Sequence, residues 1–266
     1  MRLAAVYNTW GDVDLLELSI KNIRPMVEMV IVIFSTTSNF GERLPQDEPD
    51  GSAFKFPDGC PIFFRQREPD LKKTPRENET AKRNYGLHFA REMGATHFVT
   101  MDADEFYDPD EFKDAKECIQ NPDYIKGFVV KCQTYFRSPT LTIGYDITLV
   151  PFIHELTPTI KHTFNRSYPY AWQGPQIRID PTRSLNINSG VQLTDFTMFH
   201  FSWVRTDYRR KIRNSTAKSN LERSTILEDL KNAKAGYFCT YYQKTLVECE
   251  NKFHIPEILG VDKSLM

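Results

Sequence analysis

The stretch Met101-Asp102-Ala103-Asp104-Glu105-Phe106-Tyr107 puts three carboxylates within four residues. Like charges this close repel, so a fold that gathers them needs a counter-charge, and a hard divalent cation with oxygen ligands is the simplest one. Alternate residues of an extended segment point the same way, which lets Asp102 and Asp104 share one cation or a cation-bound phosphate. Removing one of these charges could then even raise the melting temperature of the metal-free protein, by relieving repulsion. The competing reading is a solvated turn with acidic capping residues. Against it stands the apolar run His97-Phe98-Val99-Thr100-Met101, which reads as a buried strand delivering the acids to its carboxyl end. Open α/β sheets place their ligands at that edge.

Partners for such a site are sought downstream and upstream. Met198-Phe199-His200-Phe201-Ser202-Trp203-Val204-Arg205 sets one histidine in an aromatic run. On its own, His200 reads as a hydrogen-bonded core residue. Lys82-Arg83-Asn84 lies on a helix entering the acidic strand, and a phosphate-bearing ligand needs positive charge besides a metal. Arg83 offers a planar, permanently charged fork for it. Lys211 and Arg213 follow His200 closely enough to close over the same phosphates.

The elements that position these residues alternate in type. Leu3 to Tyr7 is a compact apolar strand; Val13, Leu16, Ile20 and Ile23 recur at helical spacing, with Asp12 as N-cap and Pro25 as stop. Met29 to Phe34 is apolar without alternation, as suits a parallel strand covered on both faces. Strand, helix and strand in this order make a right-handed βαβ unit. Residues 35–59 form a long irregular loop, and Pro61 to Phe64 a third strand. Thr74-Pro75-Arg76-Glu77 starts a helix with a capping box, Ala81, Tyr85 and Phe89 line its buried face, and Gly94 ends it. Asp108-Pro109-Asp110-Glu111 repeats the start signal ahead of Phe112, Ala115 and Ile119. Beyond Pro122, Gly127 to Cys132 is a strand, 135–205 is weakly patterned, and 206–235 carries one or two exposed helices bearing Ile212, Leu221, Ile226 and Leu230.

The run Asp102-Ala103-Asp104-Glu105-Phe106 resembles the Asp-x-Asp-Glu-Phe signature of glycosyltransferases with the A-type (GT-A) fold, in the family-2-like branch. The resemblance spans roughly residues 2–215. It implies an α/β, GT-A-like (nucleotide-diphospho-sugar transferase) fold: a mixed, mostly parallel central sheet flanked by helices. It also implies Mn²⁺ or Mg²⁺ on Asp102 and Asp104, with His200 as a further ligand in its His-x-x-Trp context. Arg83-Asn84-Tyr85-Gly86 resembles the family's Arg-Asn-x-Gly element that helps hold the nucleotide-sugar. Tyr7, Asn8 and Thr9 are nominated as the donor-base contact, while Ser35 stands where many members carry an acid. The implied activity is transfer of a hexose, with inversion, from a nucleotide-diphosphate sugar (UDP- or GDP-sugar) to a hydroxyl on a glycan, protein or small molecule. Glu155 and Asp195 are preferred as the base over Asp146 and Asp180, and Trp172-Gln173-Gly174-Pro175 could shape the sugar pocket.

Composition sets bounds. The 266 residues suit one catalytic domain over 1–205 (nucleotide-sugar half 1–120, acceptor half 121–205) with a helical extension over 206–266. A net charge of −1 gives no electrostatic footprint for nucleic acid or an anionic membrane. Five cysteines without a Cys-x-x-Cys fit free thiols in a reducing compartment. A first strand starting at Arg2 or Leu3 and no long apolar run predict a cytoplasmic protein without signal peptide or membrane span. Two rival classes stay open: a nucleotidyltransferase or other metal-dependent nucleotide enzyme, and a non-catalytic carbohydrate-binding protein on the same fold.

Overall fold

The computed structural model describes all residues except 12, 47, 49–53, 57, 121–126, 164–177, 180–181, 188–190, 216–218 and 258–266. Asp12, Asp180 and the Trp172–Pro175 segment therefore lie outside the described residues. The chain opens with β1 (Leu3–Thr9), α1 (Val13–Ile23) and β2 (Met29–Phe34), followed by β3 (Ile62–Gln66), α2 (Pro75–Glu92) and β4 (His97–Met101). These strands pair in parallel in the order β3-β2-β1-β4. All six residues of β2 are buried, as expected of a strand covered on both faces. The carboxyl ends of β1, β2 and β4 then share one edge.

Local chemistry fixes α2 tightly. Thr74 and Glu77 form a capping box, Pro75 occupies the first turn, and Gly94 takes φ +74 just past the end. The helix lies so close to the sheet that a Cβ on Gly86 would sit 2.5 Å from Val6 Cγ1. An alanine there would cost about 1–3 kcal/mol by overpacking. Its buried face differs from the apolar stripe anticipated: Lys82, Arg83, Gly86 and Leu87 turn inward beside Phe89, while Tyr85 is half-buried. Buried charge wins over the apolar pattern because partners await it at the strand ends.

After β5 (Glu105–Tyr107) and α3 (Pro109–Ile119, capped by Asp108), the sheet turns mixed. The long strands β6 (Gly127–Phe136), β7 (Leu141–Glu155) and β9 (Val191–Trp203), with the short β8 (Arg178–Ile179), extend it in the order β4-β7-β6-β9-β5. Three of these junctions are antiparallel, and β6–β9 is parallel. The α/β architecture with a mixed sheet flanked by helices is the one the motif implied. The length of β7 and β9 was not legible, because both are interrupted by polar residues and β6 is bulged against each.

The carboxyl-terminal part adds α4 (Tyr208–Arg213), α5 (Asn220–Asn232), the hairpin β10 (Phe238–Cys239) with β11 (Lys244–Thr245), and β12 (Val247–Glu248), which joins the main sheet beside β7. Ile212, Ile226 and Leu230 pack with Phe136, Leu141 and Trp203 in one core cluster, but Leu221 is exposed. No helix among the described residues is long and apolar enough to cross a membrane. All five cysteines are free.

Candidate functional site

Asp102, Ala103 and Asp104 lie where β4 ends, in a turn that leads directly into β5. Strand β5 pairs antiparallel with β9, placing Glu105 opposite His200, and Phe201 N–H donates to Asp104 carbonyl at 2.8 Å. Paired positions share a face of the sheet. The result is a group of one oxygen each from Asp104 and Glu105 and one His200 nitrogen, all within 4.8 Å of one another. Glu105 was legible only as part of the acidic run, not as a ligand.

The counter-charge demanded by three neighbouring carboxylates comes from the protein itself. Asp102 accepts from Arg83 at 3.1 Å and from Arg183 at 2.6 Å. Arg183 also grips Glu105, which accepts the Asp102 backbone N–H at 3.0 Å. Asp104 Oδ2 accepts from Arg205 at 2.6 Å and Lys211 at 3.1 Å. Glu79 adds a fourth carboxylate on Arg83 at 3.1 Å. Burial alone would push Asp102, Asp104 and Glu105 up. Arg183 and Arg83 nevertheless hold Asp102 well below the usual carboxylate range, and Lys211, His200 and Arg205 do the same for Asp104. For Glu105 burial prevails over Arg183, and its carboxyl titrates above the ordinary value.

Among the described residues, one carboxylate oxygen departs from this pattern of satisfied charges. Asp104 Oδ1 is buried and makes no hydrogen bond, with His200 Nε2 3.6 Å away. A buried carboxylate oxygen without a donor is costly unless something else fills the role. Two carboxylates and an imidazole around that atom fit a divalent cation, and the imidazole favours Mn²⁺ over Mg²⁺.

Several sequence expectations change. Tyr7 is not presented to a nucleobase: it lies in the core, and its hydroxyl bonds to Ser19 Oγ at 2.8 Å. Thr9 is buried, with its carbonyl accepting from Lys82, whose Nζ also reaches Ser35 Oγ at 2.8 Å. Burial lowers the Lys82 amine to about 7. Asn8, half-buried on the same strand, belongs to that edge. Arg83, the phosphate contact anticipated, is buried and engaged by Glu79 and Asp102. Lys211 reaches the site, but as a partner of Asp104. Arg213 pairs with Glu42 away from it.

Both preferred bases lie along their strands away from the acidic turn. Glu155 pairs with His97 at the amino end of β4, five residues and about 16 Å of strand from Asp102. Asp195 is fully exposed and paired with Lys131 at 2.9 Å, five residues before His200 along β9. Asp146 is instead brought close. His200 sits beside Thr134 of β6, and Thr134 Oγ1 donates to Asp146 at 3.0 Å. Glu105, His200 and Thr134 thus lie in one row across β5, β9 and β6, and the Thr134 hydroxyl links that row to Asp146 on β7.

No protein-family model matches the chain, and no curated protein matches it. Among solved structures, the 1–349 fragment of S. aureus TarS aligns over 87% of this chain and 71% of its own, at 14% identity and a TM-score of 0.46. The same fragment in complex with UDP-GlcNAc aligns over 87% and 72%, at 14% identity and a TM-score of 0.42. A provisionally named nucleotide-diphospho-sugar transferase from Desulfovibrio desulfuricans G20 aligns over 87% and 96%, at 10% identity and a TM-score of 0.39. Likeness at this distance transfers no chemistry to the chain.

Proposed function

We propose that the protein is a metal-dependent glycosyltransferase, moving a sugar from a nucleotide-diphosphate donor such as a UDP- or GDP-sugar to an acceptor hydroxyl. The observation that carries this reading is the orphaned Asp104 Oδ1 facing Glu105 and His200 at the carboxyl end of β4, inside a ring of cations. Asp104, Glu105 and His200 would hold Mn²⁺ or Mg²⁺, which supplies Lewis-acid neutralisation of a leaving diphosphate. Asp102 is then the anchor that fixes Arg83 and Arg183.

In the transfer, a bond forms between the acceptor oxygen and the sugar's anomeric carbon as the bond to the diphosphate oxygen breaks. The electron pair leaves with the diphosphate, and the acceptor proton passes to a base. Asp146 is the carboxylate we assign to that proton, because the cross-strand row brings it towards His200 through Thr134. Asn8 of β1, and Lys82, which reaches from α2 to Thr9 and Ser35 at the ends of the first two strands, would take the place of Tyr7 towards the donor base.

The reaction is tested by incubating the protein with a panel of nucleotide sugars and Mn²⁺ and identifying the products. Released nucleoside diphosphate together with a glycosylated acceptor supports the reading. Released pyrophosphate would assign the site to a nucleotidyltransferase.

A further inference from the structure

The four carboxylates of the site (Glu79, Asp102, Asp104, Glu105) are matched by four cationic side chains (Arg83, Arg183, Arg205, Lys211), all linked by ion pairs. A divalent cation added to this balanced, largely buried set would face uncompensated positive charge at short range. Lys211 is one of its two nearest sources, 3.1 Å from Asp104 Oδ2, with Arg205 at 2.6 Å on the same oxygen. Lys211 is the cation best able to leave, since its side chain is 28% exposed against 7% for Arg205 and rides on a flexible four-carbon stem.

The element carrying Lys211 is also tied to the loop that leaves β2. Arg210, its neighbour on α4, grips Glu48 with both nitrogens and lies over the Trp10 ring. Arg213 and Asn214 hold Glu42 at 3.0 and 2.7 Å. Both glutamates belong to the loop that leaves β2, whose carboxyl end borders the site.

We infer that Lys211 is a counter-ion latch: it neutralises Asp104 in the ligand-free protein and moves to the phosphates when a cation and a diphosphate arrive together. This rests on the reading of Asp104, Glu105 and His200 as a cation site for a diphosphate-bearing ligand. The latch makes the cation site conditional. Metal alone binds poorly because Lys211 opposes it, and a nucleoside diphosphate both supplies negative charge and draws Lys211 away. A static structural ion pair predicts the opposite sign for loss of the lysine, because its removal would only loosen Asp104.

The test is calorimetric titration of Mn²⁺ into wild type, Lys211→Met and Lys211→Arg, each with and without saturating uridine diphosphate. Wild type should bind Mn²⁺ at least about tenfold more tightly when the diphosphate is present. Lys211→Met should bind Mn²⁺ alone about tenfold more tightly than wild type, and the diphosphate should enhance that binding far less. Lys211→Arg, which keeps the charge, should behave as wild type. Equal or weaker binding of Mn²⁺ alone by Lys211→Met would overturn the latch while leaving the cation site standing. Absence of Mn²⁺ binding to wild type even with uridine diphosphate would overturn the site itself. Should Lys211→Met fail to fold, judged by circular dichroism, Lys211→Gln decides by the same comparison.

Discussion

Asp102 and Asp104 share a residue type, a strand end and a motif, yet their surroundings differ. Asp102 is partly exposed and held from two sides by Arg83 and Arg183, so both its oxygens are engaged by rigid guanidinium groups. Asp104 is buried, and its two oxygens are treated unequally: Oδ2 is held by Arg205 and Lys211, while Oδ1 has no hydrogen bond and faces His200. One residue of turn between them reverses the direction, and β5 then carries Glu105 against His200. Spacing in the sequence made the two aspartates equivalent; the counter-ions engage both oxygens of Asp102 and leave one oxygen of Asp104 facing His200.

The largest effect expected from breaking that contrast is at Asp104. Asp104→Asn removes the anionic ligand and should reduce turnover at least about 100-fold, the scale of losing a metal's charge stabilisation. It should also destabilise the fold by about 3 kcal/mol, because Arg205 and Lys211 would face a neutral amide. This reverses the expectation from repulsion alone, which had the metal-free variant melting higher. A thermal melt without metal decides the sign.

Arg183 sharpens the anchor side. It is buried and bridges Asp102 to Glu105, so Arg183→Met leaves two carboxylates short of their partner. We expect a loss of about 3 kcal/mol, read as a lower denaturation midpoint at constant slope. A midpoint within error of wild type would mean the bridge is not the anchor described.

A smaller effect separates the site from the sheet around it. His154 and His162 are buried neutral, and burial lowers both, His154 to about 4. Their folded values lie below the unfolded value near 6.5, so the unfolded chain binds more protons in between. Their contribution is complete above about 6.5 and is lost as pH falls towards 4, by at most about 1.4 kcal/mol per unit for each histidine. Denaturant titrations from pH 7 to 4.5 should show this slope, flattened in His154→Gln. An unchanged slope would place the acid sensitivity elsewhere.

The smallest effects belong to the displaced bases. Glu155→Gln and Asp195→Asn should each change stability by no more than about 0.5 kcal/mol and leave turnover near wild type. A large loss in either would return that carboxylate to the chemistry. Asp146→Asn, by contrast, should lower kcat while leaving Mn²⁺ binding intact.

What the sequence made legible was local. The capping box before α2, the stripe Phe112-Ala115-Ile119 of α3, and the unalternated β2 all follow from nearest-neighbour chemistry. So did the acidic turn and His200, because the motif is contiguous and the histidine interrupts an aromatic run. Arg183 left no signal: it is 81 residues from the Asp102 it binds, in a loop without periodicity. Arg205 left a faint one, as the charge that ends the run from Met198 to Val204. Tyr7 was misplaced because a strand's alternation tells which residues share a face, not which face meets the ligand. Asp146 ranked below Glu155 and Asp195 until the pairing of β6 with β9 and the Thr134–Asp146 hydrogen bond connected it to His200.

The division between Asp102 and Asp104 is tested most directly by Mn²⁺ binding to Asp102→Asn and Asp104→Asn in saturating uridine diphosphate, measured by calorimetry under conditions where both are folded. The account predicts that Asp104→Asn loses Mn²⁺ binding, while Asp102→Asn keeps it within about threefold of wild type although its fold is weakened. Equal loss in both variants would make the two aspartates joint ligands, and retention in Asp104→Asn would contradict the site described.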